Sequence, residues 1–204
     1  MKNKKIKFFS LWLGLFIIGI FIIQSIFPVF TDFFVLNQNS IPQIWRFVSS
    51  IFLHGSITHL IYNLFALVFF GILLEKLIGS KKFLFLFFLS GIIANMISVN
   101  FYPSSLGASG AIMGIIGALT VLKPMVMVWA FGMILPMFIA AGLWVAGDIL
   151  GALGAFGKTG IGNIAHLSGV GVGLILGLIL RITLMKKEKV SKDIEFADSS
   201  LDLQ

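Results

Sequence analysis

A serine, a pair of histidines and an asparagine stand inside stretches that are otherwise almost wholly apolar. Ser109 lies in Gly107-Ala108-Ser109-Gly110, an uncharged turn that opens a short apolar segment, and His166 lies in another apolar stretch rich in glycine. A hydroxyl and an imidazole held in hydrocarbon read first as a nucleophile and its general base. Each also has a structural reading, because Ser and His hydrogen-bond between helices inside membranes. His59 and Asn63 occupy a third apolar segment one helical turn apart and so project from one face. Buried together they could donate to a developing oxyanion, and Ser109 at a helix start would add its backbone N–H and the positive end of that helix. Gluing helices together is the alternative for that pair. Taken together, the four residues favour chemistry.

Spacing supports a meeting of serine and histidine. The run from His166 continues with Gly169, Gly173 and Gly177, every fourth residue, within about 60° of His166 around an ideal helix. Gly110 and Gly114 repeat at the same interval behind Ser109. Glycine faces let two backbones approach closely, which would bring Ser109 and His166 within hydrogen-bond reach, the geometry of a serine–histidine dyad. By themselves such repeats denote packing. Asp148 lies near the end of the preceding apolar segment, and no third acid is forced by the spacing.

The elements that must position these residues follow from composition. With 204 residues, 58% hydrophobic and 11% charged, and a mean hydropathy of +1.06, the chain cannot hide its apolar surface in one soluble core. Runs such as Phe83-Leu84-Phe85-Leu86-Phe87-Phe88-Leu89 do not alternate, which excludes a membrane β-barrel. An all-α, multi-pass membrane protein is expected, with six spans near 8–30, 52–74, 83–100, 109–122, 125–150 and 162–185. The basic start of the chain precedes an apolar run too long for a signal core and lacking an Ala-x-Ala exit, so it reads as an uncleaved first span. Residues 1–185 form one membrane domain in this reading, and 186–204 a cytoplasmic, unstructured tail.

The net charge of +7 implies no nucleic-acid partner, because the cations follow membrane topology. Lys2, Lys4, Lys5, Lys7, Lys76, Lys81, Lys82, Lys123, Arg181, Lys186, Lys187, Lys189 and Lys192 fall on one side of a six-span arrangement, and Arg46 and Lys158 on the other. The positive-inside rule then puts both termini in the cytoplasm. The fourth segment, about 21 Å long as a helix, is too short for a core of ~30 Å. Rising from the cytoplasmic side, it would start mid-membrane and leave Ser109 at the floor of an outward-facing wet cavity. Residues 31–51 would lie along the outer interface. The glycine-rich stretch 151–160 reads as a connector or a lid. No cysteine is present, so a thiol nucleophile is excluded, and neither a metal nor an organic cofactor is called for.

The ordered set His54-x-x-x-x-His59-x-x-x-Asn63, Gly107-x-Ser109-Gly110 and Ala165-His166-x-x-Gly169-x-x-x-Gly173 resembles the signatures of rhomboid intramembrane serine proteases, on the second, fourth and sixth spans. Trp45-Arg46 resembles the family's Trp-Arg element, and Glu75 an acidic residue at the end of the second span. The likeness runs from about Trp45 to Gly177 and is that of the minimal six-helix bacterial form. It implies a serine endopeptidase of the plasma membrane whose partners are the lipid bilayer and single- or multi-span membrane-protein substrates. Ser109 would be the nucleophile and His166 the general base, with His59 and Asn63 stabilising the oxyanion. His54, Gly107, Gly110, Trp45, Arg46 and Glu75 would be supporting elements. Substrate would enter laterally, between the second span and a fifth bearing Trp129, Phe131, Phe138 and Trp144. The rivals are a non-catalytic rhomboid-like escort of membrane proteins, and a haem protein using His59 and His166 as axial ligands.

Overall fold

The computed structural model describes residues 6–157 and 160–201; Lys2, Lys4, Lys5 and Lys158 of the charge pattern, and Thr159 of the glycine-rich stretch, lie outside them. The first apolar run forms α1 (Phe9–Ile26) and stops there rather than near 30, because Pro28 removes a backbone donor and starts a new helix, α2 (Pro28–Phe34). The interfacial loop follows, with a short strand β1 (Leu36–Asn37) and a one-turn helix α3 (Arg46–Ser49). The second span, α4 (Ile57–Ile78), begins at Ser56, whose hydroxyl accepts from the His59 N–H, and ends at Gly79, where φ is +86°. His54 therefore precedes the helix instead of lying within it.

Next come α5 (Ser80–Ser98), a strand β2 (Ser104–Ser105) that pairs antiparallel with β1, and α6 (Ser109–Leu122), which matches the expected fourth segment. At 14 residues α6 is about 21 Å long. It is buried from Gly110 to Leu119.

The expected fifth span is corrected. Its first half is a hairpin, β3 (Met127–Ala130) with β4 (Met133–Pro136), and only its second half is a helix, α7 (Met137–Ala152). The turn residues Phe131 and Gly132 both have positive φ, 53° and 77°, as a two-residue hairpin turn requires. Val128 and Ala130 face inward while Met127 and Trp129 are exposed, the alternation of a strand. Pro136 lacks the donor that an unbroken helix would need there. Trp129 and Phe131 thus belong to the hairpin, and only Phe138 and Trp144 to α7.

The last helix, α8 (Asn163–Leu201), continues well past 185. The helical backbone runs on through Leu201, past the start of the expected tail at Lys186. That stretch has no Gly or Pro to break the helix. Residues 202–204 lie outside the described residues.

Among the described residues four helical stretches are long and apolar enough to cross a membrane: Phe9–Ile26, Ile57–Ile78, Ser80–Ser98 and Asn163–Lys186. Two shorter apolar helices, α6 and α7, complete the bundle. Leu67, Phe70 and Leu74 of α4, Phe83 and Phe87 of α5, and Ile115 and Leu119 of α6 form its fully buried centre. In lipid such packing is held by dispersion and close fit, since hydrocarbon surrounds the helices on every side.

Candidate active site

Two glycine rows zip α6 to α8. A Cβ built on Gly169 would overlap the Gly110 carbonyl oxygen, and one on Gly173 would overlap that of Gly114. On α6, a Cβ at Gly117 would lie 2.5 Å from the Val170 carbonyl oxygen, and one at Gly110 3.5 Å from that of Ala165. The backbones therefore touch, as the fourfold spacing implies. Ser109, the first residue of α6, and His166, the residue after Ala165, flank the same end of this seam. No side-chain hydrogen bond joins them among the described residues.

His59 closes the site from α4. Gly107 lies under its ring: φ there is +116°, and an added Cβ would stand 2.6 Å from His59 Cε1. Glycine is required at 107 on both counts. The Gly107 N–H donates to the Ser50 carbonyl at 2.9 Å, fixing the loop that leads into α6. His59 also lies within electrostatic range of His166. Asn63 is buried, and its Nδ2 donates to the His59 carbonyl at 3.0 Å, which leaves the second hydrogen of the amide uncommitted to that bond. The N–H groups at the start of α6 have no acceptor one turn back, so that end carries partial positive charge.

His54 packs its ring 4.9 Å from that of His59. It is buried, and neither ring nitrogen has a hydrogen-bonding partner among the described residues. Burial first, and the neighbouring His59 second, lower its pKa to about 4, with the Phe52 backbone opposing them. Its backbone is clamped by Gln24 of α1, whose Oε1 accepts from the His54 N–H at 3.0 Å.

The other supporting residues act at a distance. Arg46 is buried and staples the first loop: Nη1 donates to the carbonyls of Asp32 and Val35 at 2.7 and 2.6 Å, and Nε to Gln43 Oε1 at 2.6 Å. Trp45 beside it is exposed. Glu75 caps α1, accepting from the N–H groups of Phe9 and Ser10 at 2.9 and 3.0 Å and from the Ser10 hydroxyl at 3.1 Å. A carboxylate at a helix N-terminus satisfies free donors and meets the positive end of the dipole.

Two arrangements escaped the sequence. Asn95 on α5 donates to the Phe47 carbonyl and to Ser50 Oγ while accepting from Ser105, which ties both loops flanking the site to one buried amide. Asp148 Oδ1 lies 2.9 Å from His166 Nδ1. An acid in an otherwise apolar helix was the available signal for the second; nothing short of the fold could name its partner.

Residues 42–183 match the rhomboid domain. RHOMBOID-like protein 4 of Arabidopsis thaliana is 33% identical over 140 residues, covering 68% of this chain and 34% of its own length. Rhomboid protease GluP of Bacillus subtilis (strain 168) is 44% identical over 77 residues, covering 37% of this chain and 15% of its own. Inactive RHOMBOID-like protein 8 of Arabidopsis thaliana is 37% identical over 79 residues, covering 38% and 22%. This chain spans about a third or less of the length of these relatives. The matched region takes in His59, Gly107, Ser109, His166 and the glycine seam that gathers them, and the chain belongs to the rhomboid family.

Proposed function

We propose that this multi-pass membrane protein is an intramembrane serine endopeptidase cleaving peptide bonds in or beside transmembrane helices of other membrane proteins. The observation that carries this reading is the contact of α6 with α8 through bare backbone, which sets the start of α6 beside Ala165-His166. Ser109 Oγ attacks the scissile carbonyl carbon, and its proton passes to His166 as the carbonyl electron pair moves onto oxygen. His59, the free amide hydrogen of Asn63 and the first N–H groups of α6 stabilise that oxyanion. His166 then gives its proton to the departing amine nitrogen as the C–N bond breaks. Water repeats the sequence to release the acyl group.

A carbonyl inside an intact helix is hydrogen-bonded and shielded, so the substrate must unwind locally before attack. The topology that serves this chemistry has both termini in the cytoplasm of the plasma membrane, with α6 starting mid-membrane and the site opening outward. Rings crossing from α4 to the hairpin and α7 mark the seam for lateral entry: Phe65 with Trp129 at 5.8 Å and Phe70 with Trp144 at 5.7 Å between centroids.

The test is incubation of the purified protein and its Ser109→Ala variant with a single-span substrate, with mass analysis of the fragments. Cleavage by the parent alone is expected; equal cleavage by Ser109→Ala would sink the serine mechanism. A relative named as inactive favours one rival, an escort that binds membrane proteins without cutting them. Fluorophosphonate labelling of Ser109 in the parent separates the two.

A further inference from the structure

The bond between Asp148 and His166 extends the site beyond a dyad. Asp148 is the only charged residue of α7, whose remaining fifteen residues carry no acid or base. Its side chain is 9% exposed and that of His166 18%, with Oδ1 and Nδ1 2.9 Å apart. A carboxylate in such surroundings is costly unless paired. Among the described residues His166 is the side-chain partner it has.

The pair belongs to a packed seam and is not a chance meeting of two long side chains. One turn further along both helices, Gly151 of α7 meets Asn163 of α8, and a Cβ on Gly151 would come 2.5 Å from Asn163 Nδ2. Positions 148 and 151 share one face of α7, as 163 and 166 share one face of α8. Two contacts in matching register fix the rotation of α7 about its axis, and with it the direction of the carboxylate.

Resting on the serine-protease reading, we propose that Asp148 is the third member of the catalytic arrangement, a positioning residue that sets the tautomer of His166. A carboxylate accepting from Nδ1–H leaves the lone pair on Nε2, the nitrogen then available to Ser109. When Nε2 takes the serine proton, the positive ring that forms faces a negative charge at hydrogen-bond distance. Asp148 does not itself take the proton. Asparagine at 148 is nearly isosteric, but its amide can donate to Nδ1 and so stabilise the wrong tautomer.

The experiment combines three variants with readouts that do not depend on the physiological substrate. Fluorophosphonate labelling of Ser109 and cleavage of a single-span substrate are measured in detergent for the parent, Asp148→Asn, Asp148→Glu and Ser109→Ala. Expected for Asp148→Asn is a fall in labelling rate and kcat of about 100- to 10,000-fold with KM nearly unchanged and thermal stability retained, and for Asp148→Glu a partial recovery. In the parent, proton NMR should show a far-downfield Nδ1–H resonance that disappears in Asp148→Asn. Labelling of Asp148→Asn at the parent rate overturns the acid's role alone. So does absence of the downfield proton from a parent that is labelled at Ser109. A parent that is neither labelled nor cleaves substrate overturns the protease reading, and the acid's role with it.

Discussion

At His54 a titratable ring is buried with no hydrogen bond to either nitrogen among the described residues, and its pKa is lowered to about 4 by burial and by His59. The unfolded chain binds a proton near pH 6.5, whereas the folded chain refuses it until about 4. Stability from this residue is therefore complete above pH 6.5 and falls as the pH drops from 6.5 towards 4. Melting midpoints of the parent should decline through that window, and a His54→Gln variant should decline less steeply; parallel curves would remove His54 as the cause. Its place in the ordered motif was legible in the sequence, but its burial without partners was not, because that depends on what surrounds a loop residue. Gly107 is similar: the motif marks it, while the two reasons for glycine, the left-handed backbone and the ring of His59, exist only in three dimensions. Asp148 was visible as an acid in an apolar run, yet eighteen positions and an irregular connection separate it from His166, and no spacing rule spans such a gap.

Between elements, the α6–α8 seam was the most readable feature, because a fourfold glycine repeat maps onto one helix face whatever else the fold does. It also makes the sharpest contrast between two glycines of one helix. Gly173→Ala should destabilise by about 1–3 kcal/mol and lower activity, since its methyl would meet the Gly114 backbone. Gly171→Ala has nothing within 4 Å and should leave both nearly unchanged. Denaturant titration in mixed micelles with parallel labelling of Ser109 checks the pair, and equal effects would mean that close approach is not what the repeat serves. The hairpin before α7 was missed for the complementary reason. Averaged hydropathy sees residues 125–150 as one apolar run, and only Gly132, Pro136 and the inward alternation of Val128 and Ala130 distinguish strand from helix.

Across the whole molecule, the proposed orientation rests on charge. In the proposed topology thirteen cations fall on the cytoplasmic side and two on the outer, and one of those two, Arg46, is buried with three N–H groups bonded within the first loop. A fluorescent reporter fused to the C-terminus should therefore light up in cells, while alkaline phosphatase at the same point should stay inactive; the opposite pattern would invert the proposed topology. The six-crossing arrangement was drawn from lengths and cations alone, and α6 and α7 are the two helices too short for length to decide. If the protease reading holds, α7 has a second bearing, on turnover. One helix carries both Trp144, packed against Phe70 at the proposed entry seam, and Asp148, bonded to His166. On the proposed reading, loosening α7 to admit substrate would slacken the hold on His166, and tightening it would sharpen the base behind a closed door. Turnover plotted against the docking strength of α7 would then rise to a maximum and fall on either side, so that the best enzyme is neither the most open variant nor the most stable one.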